Sequence, residues 1–600
     1  MLSTAQNATM ATDDSTGHNG SGPKIMRAAS IDKLMSAIGR PILWIVLMIV
    51  SVIPTLAFLI LAISPRLFDQ GVSYFSLSAF QQAFSGSEII GVRNSLIIAS
   101  LASVLASIFA GGLAWIAQRT DLAGGKWIGI ILWWVLLVPT YVVSVGWEEV
   151  LGPSSLFSQL GIVSPLMRNT FIGPLGVVLV LAYSGTPFAY FAMAPAIAGM
   201  GRRYEEAART HGAGRRKTFI TVFPIIIPAL FAALTIVFAE ALGDFGVAAT
   251  LATTANLPVA TTGIMNAIAT FPTNFGEAAA IGWMLVGTLG VVLTIQNKII
   301  RKRNYAALSG RSTFAPKQHL AGFKRFAGYL FFYGFFAFTI VIPALGAVMS
   351  TLLKPYSTLK LSNFTLDAYT SLISTQSLGA PILVSLKMAV INATLTVIVG
   401  ISIAKVISSP RAGITGRLTD VIIVGSVALP AIVLSAGFIF VFNLPFTIHM
   451  GINIYGTLIL LGIGYLAIAL PSNSRLLLGP VSQLDGSLMR AGRVHGAGLS
   501  RSFVKCILPL LAKSIVWAWL LTFAATFGEL PTSQMLAPTG VRTMATAVLN
   551  SFQSANLSAA TAFSVVQMLI VLAVITVVLT LFHFVAPPGW RNIAPESAKR

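Results

Sequence analysis

Three carboxylates stand in or beside apolar segments of the sequence: Glu240, Asp244 and Glu529. Glu240 and Asp244 are four residues apart and therefore share one face of a helix. They follow Pro224 by 16 and 20 residues, which at about 1.5 Å per residue places them roughly 24 to 30 Å along that helix, near its outer mouth. Glu529 takes the matching place after Pro509. Ionisable groups at such depth usually line a pathway, and converging carboxylates would suit a hard cation such as Fe³⁺, because hard cations prefer oxygen ligands. The alternative is that they cap helices or form hydrogen bonds between helices.

Covalent catalysis is not indicated by any residue pattern in the chain. No nucleophile recurs together with a base, and six histidines are spread over the 600 residues. His211 and His495 recur at matching positions, but neither has a second candidate ligand nearby. The single cysteine, Cys506, excludes an internal disulfide and any metal site built from several cysteines. We therefore predict no catalytic residue, no resident metal and no cofactor.

The composition indicates that these carboxylates belong to a membrane protein. Hydrophobic residues make up 56% of the chain, charged residues only 10%, and the mean hydropathy is +0.83, whereas an ordinary soluble domain is about 25% charged. Long, continuously apolar runs predict helices rather than the alternating strands of a membrane barrel. The predicted fold is all-α and polytopic, with twelve transmembrane helices in two sets of six. These spans lie near residues 42–64, 96–117, 128–146, 174–199, 222–247 and 279–297, and near 328–352, 383–407, 419–442, 455–474, 507–527 and 562–583.

The distribution of basic residues sets the predicted orientation. With a cytoplasmic amino terminus, 32 of the 39 Lys and Arg lie on the cytoplasmic side, six lie outside and Lys387 lies within a span. This bias is the positive-inside pattern. It places both termini in the cytoplasm and removes nucleic acid as an explanation for the net charge of +21.

The chain is a duplication with a repeat spacing of about 284 residues. Each copy begins and ends on the same side, so the halves are parallel repeats rather than an inverted pair. We predict a flexible cytoplasmic tail at 1–38, a first half at 39–297 (core 92–297), a basic cytoplasmic linker at 298–326, a second half at 327–585 (core 382–583) and a cytoplasmic tail at 586–600. The outer segments are too short for a receptor domain of about 50 residues, so any substrate receptor must be another protein.

The best conserved part of the duplication is a polar cytoplasmic loop. In the first copy Glu205 and Glu206 precede Arg209 by four and three residues, so opposite charges share a helical face. Gly212 then allows a turn that a Cβ would obstruct, and Pro224 suits the first turn of the next helix. The pattern predicts a rigid bent element that could transmit a push from a cytoplasmic partner. The alternative is a solvated basic turn.

The order Glu206-Ala207-Ala208, three residues and Gly212, followed later by Pro224, resembles the loop signature of permease subunits in binding-protein-dependent ABC importers. Two copies in one chain of twelve spans are similar to the ferric-iron permease branch of that family, whose relatives move thiamine, 2-aminoethylphosphonate, sulfate or polyamines. The resemblance covers roughly residues 40–585 and implies the fold of a type I ABC importer permease. Supporting motifs are Arg119-Thr120-Asp121-Leu122, Asp244-Phe245-Gly246, Glu529-Leu530-Pro531-Thr532 and Thr543-Met544-Ala545-Thr546.

The resemblance implies that each loop docks in a groove of an ATP-binding subunit. The implied docking residues are Glu205, Glu206, Ala207, Ala208, Gly212 and Pro224 in the first loop, and Arg490, Ala491, Gly492, Gly496 and Pro509 in the second. Two departures stand out. Pro224 arrives one residue early, which predicts a tighter second short helix in the first copy, and Arg490 and Gly492 replace the usual acid and the second alanine. We hypothesise that the first loop binds its ATP-binding subunit more tightly than the second loop does.

The implied partners are two copies of a separate ATP-binding subunit, a periplasmic binding protein and membrane lipid. The chain contains no ATP site of its own, because Gly124-Gly125-Lys126-Trp127 lacks the upstream glycine of a phosphate-binding loop and has Trp where Ser or Thr must reach magnesium.

The predicted function is an inner-membrane permease for a small solute delivered by the binding protein, with ferric iron favoured by the branch. The same machinery for 2-aminoethylphosphonate, thiamine, sulfate or a polyamine is the alternative substrate assignment. An ion-coupled secondary transporter is the alternative class, although it should show several charges buried at mid-membrane. A polytopic membrane enzyme should show clustered His and Asp, which this chain lacks.

Overall fold

The computed structural model describes residues 41–152, 155–199, 202–301, 317–354, 357, 360–374, 377–409, 412–427, 429–484, 486–496 and 498–587. Within these residues the regular structure is helical, and extended backbone pairs only at two isolated bridges, Thr120 to Gln318 and Leu353 to Phe364. Nine of the described helices are long and apolar enough to cross a membrane, and three bent pairs raise the number of spans to twelve. The prediction of an all-α polytopic protein is confirmed.

Six spans belong to each half. The first six are Pro41–Leu61, Gly86–Arg119, Gly125–Leu137 with Thr140–Leu151, Pro174–Gly199, Arg216–Ile225 with Ile227–Gly243, and Phe275–Ile299. The second six are Gly322–Leu352, Gly379–Ser408, Gly413–Val427 with Ala431–Phe442, Leu458–Ser482, Phe503–Phe527 and Leu557–Val585. Shorter helices between them include Ser78–Ala83, Pro165–Phe171, Arg202–Thr210, Ala260–Ala269, Asp367–Ser374, Pro445–His449, Gly486–Val494, Leu499–Ser502, Pro531–Leu536 and Met544–Gln553.

Three predicted spans, 128–146, 222–247 and 419–442, each consist of a bent pair of helices rather than one continuous helix. The third span bends by 91° between Leu137 and Thr140, and the ninth bends by 107° before Ala431. Pro139 and Pro430 stand at the two breaks in extended conformation, with ψ of 144° and 137°. Proline has no N–H for the helix ladder and disfavours helical geometry in the residue before it, so an apolar run of spanning length is divided into two helices. Pro187, Pro195 and Pro471 lie inside uninterrupted helices.

The two halves exchange their first spans. A Cβ on Gly437 of the ninth span would come within 2.5 Å of the Pro54 carbonyl oxygen of the first span. Likewise, a Cβ on Gly146 of the third span would come within 2.6 Å of the Pro343 carbonyl oxygen of the seventh. Only glycine permits such a close backbone approach. Each half's broken span is therefore held by the first helix of the other half.

The described end of the linker docks on the loop after the second span. Gln318 donates its N–H to the Arg119 carbonyl at 2.8 Å, and Asp121 donates its N–H to the Gln318 carbonyl at 3.2 Å. The Asp121 carboxylate accepts the Leu320 N–H at 3.1 Å and meets His319 Nδ1 at 2.5 Å. These bonds, the Leu320 N–H first and His319 second, hold the pKa of Asp121 below its usual value. Residues 302–316, the tail 1–38 and residues 588–600 lie outside the described part of the chain.

Candidate functional site

A cavity of about 340 Å³ lies between the two halves. Its walls come from the breaks of the third and ninth spans, the fourth and tenth spans, and the ends of the helices Ile227–Gly243 and Leu508–Phe527. Glu240, Asp244 and Glu529 all line it. The structure thus brings together the three carboxylates that the sequence singled out: Glu240 and Asp244 lie at the end of one helix, and Glu529 follows the end of the other.

Asp244 and Glu529 cap helices as well as line the cavity. Asp244 Oδ1 accepts the Val247 N–H at 2.8 Å, while Thr140 Oγ1 donates to Asp244 Oδ2 at 2.7 Å. Glu529 Oε1 accepts from Thr532, from its hydroxyl at 3.0 Å and its N–H at 3.4 Å. In both halves the acid receives the N–H of the residue three positions later, which is the geometry of an N-cap. Two equivalent acids therefore make the hydrogen bonds that the sequence analysis gave as the alternative, while their role in a pathway stays a prediction.

Glu240 differs from the other two carboxylates. Its side chain is exposed toward the cavity, and the structure records no hydrogen bond to its carboxylate from the described residues. The matching position in the second half is Ala525, which also lines the cavity. Glu240 thus makes the site asymmetric, and it caps no helix.

The cavity is connected through two neighbouring residues to the interior of the twelfth span. Thr140 bonds to Asp244, and its neighbour Tyr141 forms a 2.7 Å hydrogen bond with Gln567. Gln567 is ten residues beyond Leu557 in the twelfth span, or about 15 Å from the start of that helix. After Asp244 the chain does not leave the protein, because residues 245–252 are all buried. Asp244 is thus followed directly by a segment that is buried within the protein.

Two further carboxylates were missed by the sequence analysis. Glu148 and Glu149 lie on Thr140–Leu151, and Glu148 is only 8% exposed and accepts the Thr254 hydroxyl at 2.9 Å. The predicted third span ended at residue 146, which put both acids outside the membrane. The sequence feature that could have pointed to these two acids is that they directly follow an apolar segment. Only the bend at Pro139 shows that this segment turns back into the protein.

No resident metal centre is formed in the described part of the chain. It contains no group of three or more His, Cys, Asp or Glu side chains placed to hold a metal ion. Glu240, Asp244 and Glu529 share a cavity without converging on one point, and none of the residues that line it is Lys, Arg or His. Such a lining offers oxygen atoms without a closed ligand cage.

The first repeated loop is two short helices joined by a tight turn. Arg202–Thr210 ends in Gly212 at φ 75°, where Gly212 donates to the Arg209 carbonyl at 2.9 Å and Ala213 to the Ala208 carbonyl at 3.0 Å. This pair of bonds is the Schellman motif, which needs a left-handed residue and favours glycine. Glu206 and Ala207 are exposed and Ala208 is half-buried, whereas the Glu205 side chain is outside the described set.

The second loop repeats the turn with different packing. Gly496 has φ 77° after Gly486–Val494, and Ala491 is exposed; the Arg490 side chain is not among those described. A Cβ on Gly492 would come within 2.7 Å of Ser502 Oγ and 3.0 Å of its Cβ. Buried Ser502 thus explains why glycine replaces the second alanine here.

The loops differ most where they re-enter the membrane. Pro224 lies in the 3₁₀ turn Phe223–Ile225, and the helix before it meets Ile227–Gly243 at 62°. In the second copy the π-helix Phe503–Ile507 precedes Pro509 within one continuous span. A 3₁₀ turn is tighter and a π-helix wider than an α-helix, which accommodates the one-residue difference before the proline. The second short helix, Arg215–Val222, is itself α-helical, and the tighter geometry lies in the turn that follows it. The first loop joins its span through an angle and the second joins its span directly.

No protein-family model matches the chain. The chain is similar to the ferric transport system permease protein FbpB of Actinobacillus pleuropneumoniae, with 25% identity over 511 residues, 81% of this chain and 70% of the relative. It is also similar to a putative ferric transport system permease protein FbpB 1 of Haemophilus influenzae, with 27% identity covering 72% of this chain and 68% of the relative. The molybdenum transport system permease protein ModB of Escherichia coli is 31% identical over 194 residues, which are 81% of that protein but 31% of this chain. A relative of that size corresponds to one half.

Proposed function

Because the chain belongs to the permease family of binding-protein-dependent ABC importers, we propose that its two halves enclose one pathway for ferric iron across the inner membrane. The chain is a multi-pass membrane component of a transport system and not an enzyme. ATP is hydrolysed by a separate subunit.

The cavity between the halves carries this proposal. Its lining combines Glu240, Asp244 and Glu529 with hydroxyl side chains and contains no basic residue. Fe³⁺ is a hard cation that favours oxygen ligands. A unit charge about 4 Å from one carboxylate interacts with ~4 kcal/mol at an effective dielectric constant near 20, so three carboxylates would repel an oxyanion strongly. The relatives that cover most of this chain are also ferric permeases, whereas the molybdenum permease matches only one half.

The geometry of the carboxylates suits passage rather than storage. Asp244 and Glu529 already accept backbone and hydroxyl hydrogen bonds, so a cation must compete with these donors for their oxygens. Only Glu240 faces the cavity without such a bond among the described residues. A cation would therefore be attracted by charge but held by few fixed ligands, and conduction requires binding weak enough for release.

The two loops are proposed to bind two copies of the ATP-binding subunit and to transmit the movement of those subunits to the membrane spans. The docking residues are the same as the resemblance implied, from Glu205 to Pro224 and from Arg490 to Pro509. Ile227–Gly243 links the first loop to Asp244 over 17 residues, or about 25 Å. The 62° angle in the first copy and the straight connection in the second support unequal coupling by the two loops.

The remaining parts of the proposal concern organisation. A periplasmic binding protein delivers the solute, membrane lipid surrounds the spans, and both termini lie in the cytoplasm. The division into halves at 39–297 and 327–585, joined by the linker 298–326, is retained with the first spans exchanged between the halves.

Substrate identity is tested by transport into proteoliposomes. The chain is reconstituted with its ATP-binding subunit and receptor, and ATP-dependent uptake of radiolabelled iron is measured. Unlabelled ferric iron should abolish uptake, while sulfate, 2-aminoethylphosphonate, thiamine and polyamine should not compete. ATP-dependent uptake of one of those four solutes with none of iron would refute the iron assignment and leave the permease assignment intact.

A further inference from the structure

A second cavity, apolar and about 270 Å³ in volume, lies behind the wall of the acidic cavity. It is enclosed by the broken third span, the seventh span and the twelfth span, and Val138 borders both cavities. Its polar members include Thr339 and Ser564, whose hydroxyls donate to the carbonyls of Phe335 and Ala560 at 2.7 and 2.8 Å. These two hydroxyl donors are therefore already used within their own helices, and the lining favours an apolar occupant.

The internal repeat shows that this space is not an inevitable product of the fold. Pro54 and Pro343 are 289 positions apart, and each follows a five-residue π-helix, so Phe58 corresponds to Ala347. Asn274 and Asn556 cap the sixth and twelfth spans by accepting the N–H three residues later. The two asparagines are 282 positions apart, and the same spacing pairs Trp283 of the sixth span with Val565 of the twelfth.

In the first of these two helix crossings, aromatic side chains fill the space. Phe58 is fully buried and lies beside Gly282, and Trp283 Nε1 donates to the Leu59 carbonyl at 2.7 Å. In the other crossing Ala347 and Val565 line the cavity. Two large aromatic residues are thus replaced by two small aliphatic ones at matching positions, and the difference in side-chain volume is the cavity.

The cavity is continuous with the outer surface of the spans. Leu569 lines it and is 58% exposed, and Leu345, Val341 and Leu572, which lie nearby on the seventh and twelfth spans, are 40% exposed or more. On helices that cross a membrane, such exposed aliphatic side chains face hydrocarbon. An empty apolar cavity loses dispersion contacts along its whole lining, and in this position a lipid chain can supply them.

We propose that this cavity, which we term the seventh-span cavity, binds one acyl chain of a membrane phospholipid. The chain enters beside Leu569 and packs against Ala347 and Val565. There it occupies the volume that Phe58 and Trp283 occupy in the other half, and it supports the third span from behind at Val138. The site adjoins the acidic cavity through Val135, Val138 and Ser184, which line both, but its occupancy does not depend on which solute is carried.

The test uses a phosphatidylglycerol with a photoactivatable diazirine in its acyl chain. The intact protein is purified, equilibrated with this lipid in detergent and irradiated, and the adducts are mapped by mass spectrometry. Adducts should concentrate on residues 339–348 and 564–569. Adducts spread evenly over the exposed faces of the spans, with no enrichment at these residues, would overturn the proposal even if no variant could be made.

Filling the cavity supplies the second arm of the experiment. Ala347→Phe with Val565→Trp introduces the residues of the other half and should reduce adducts on these segments to the background of the remaining spans. The control, Leu581→Phe with Val577→Trp, adds the same kinds of side chain at exposed positions of the twelfth span away from the cavity opening and should retain the adducts. If the filled variant retains them as well, the lipid is bound on the surface and not in the cavity.

Discussion

Pro139 of the first half lies against Gly528 of the second, so closely that a Cβ on this glycine would come within 2.5 Å of the proline Cγ. The mirrored contact joins Pro430 to Gly243, where a Cβ would lie 3.3 Å from the proline Cβ. Each glycine directly precedes a carboxylate of the cavity, Glu529 or Asp244. The break in each half therefore rests beside the acid of the other half, and any rotation between the halves must change both contacts.

Gly528→Ala should destabilise the protein by about 1–3 kcal/mol, the usual cost of overpacking, because the added methyl group has no space beside Pro139. Gly243→Ala should cost less, since its neighbour is farther away. Thermal unfolding in detergent measures the order. Gly287→Ala is the control, because nothing lies within 4 Å of its added Cβ, and its melting temperature should not fall. Equal melting temperatures for Gly528→Ala and Gly287→Ala would show that the contact is not tight.

Glu240→Gln should lower ATP-dependent iron uptake by about tenfold, corresponding to ~1.4 kcal/mol at the barrier, without lowering stability. The reason is that Glu240 adds charge to the cavity but caps no helix. Proteoliposome uptake and thermal unfolding are measured on the same preparation. Asp367→Asn, at the exposed start of Asp367–Ser374, removes a carboxylate outside the cavity and should leave both unchanged. Full uptake by Glu240→Gln would remove this residue from the pathway.

Asp244→Ala should lower both uptake and stability. Besides losing a cavity charge, this variant leaves the Val247 N–H and the Thr140 hydroxyl without their acceptor, and removal of a cap costs about 0.5–2 kcal/mol. The same two assays separate this residue from Glu240. A variant with normal stability would show that the cap is replaced by another acceptor.

Docking of the linker should weaken as the pH falls. The pKa of Asp121 is lowered by the Leu320 N–H and by His319, so its contribution is fully present above the ordinary aspartate pKa of about 3.9 and is lost as the pH falls through the lower value in the folded protein. Asp121→Asn imitates the protonated state at neutral pH.

Trypsin cleavage after Lys317 provides the measurement for this contact, because Lys317 is exposed and precedes the paired residue Gln318. Cleavage should be faster in Asp121→Asn than in the unaltered protein. The exposed Asp367→Asn variant should be cleaved at the original rate. An unchanged rate in Asp121→Asn would mean that the backbone pairing alone holds the linker.

Glu206→Arg should release more of the ATP-binding subunit than Arg490→Glu does. The first substitution reverses the acid of the first loop, which we propose as the stronger docking site, while the second restores an acid in the other loop. Retention of the subunit during affinity purification is measured, with Thr221→Ala, an exposed position on Arg215–Val222, as the control. Equal losses from the two reversals would contradict unequal docking.

The sequence predicted those features that depend on local composition. Apolar length located the nine continuous spanning helices and the three bent pairs, although it did not predict the bends. The spacing of Gly212 and Gly496 predicted the two turns, because a left-handed residue is a local requirement. The early position of Pro224 predicted a tighter second short helix, whereas the tighter geometry lies in the 3₁₀ turn Phe223–Ile225 after that helix.

Features that depend on contacts between the halves were not predictable in this way. Pro139 and Pro430 account for the breaks locally, but the packing of these prolines against Gly528 and Gly243 joins the two halves, and nothing in a single apolar run records that contact. Glu148 was missed as a direct result, since its burial follows from the bend. The exchange of the first spans likewise depends on distant pairs such as Pro54 with Gly437.

The most direct test of the whole account asks what drives solute through the chain. Proteoliposomes containing the chain, its receptor and its ATP-binding subunit are assayed for iron accumulation with ATP, and separately with a proton or sodium gradient and no nucleotide. The account predicts accumulation only when ATP is hydrolysed by the companion subunit. Accumulation driven by the gradient, in vesicles that contain the chain alone, would contradict it.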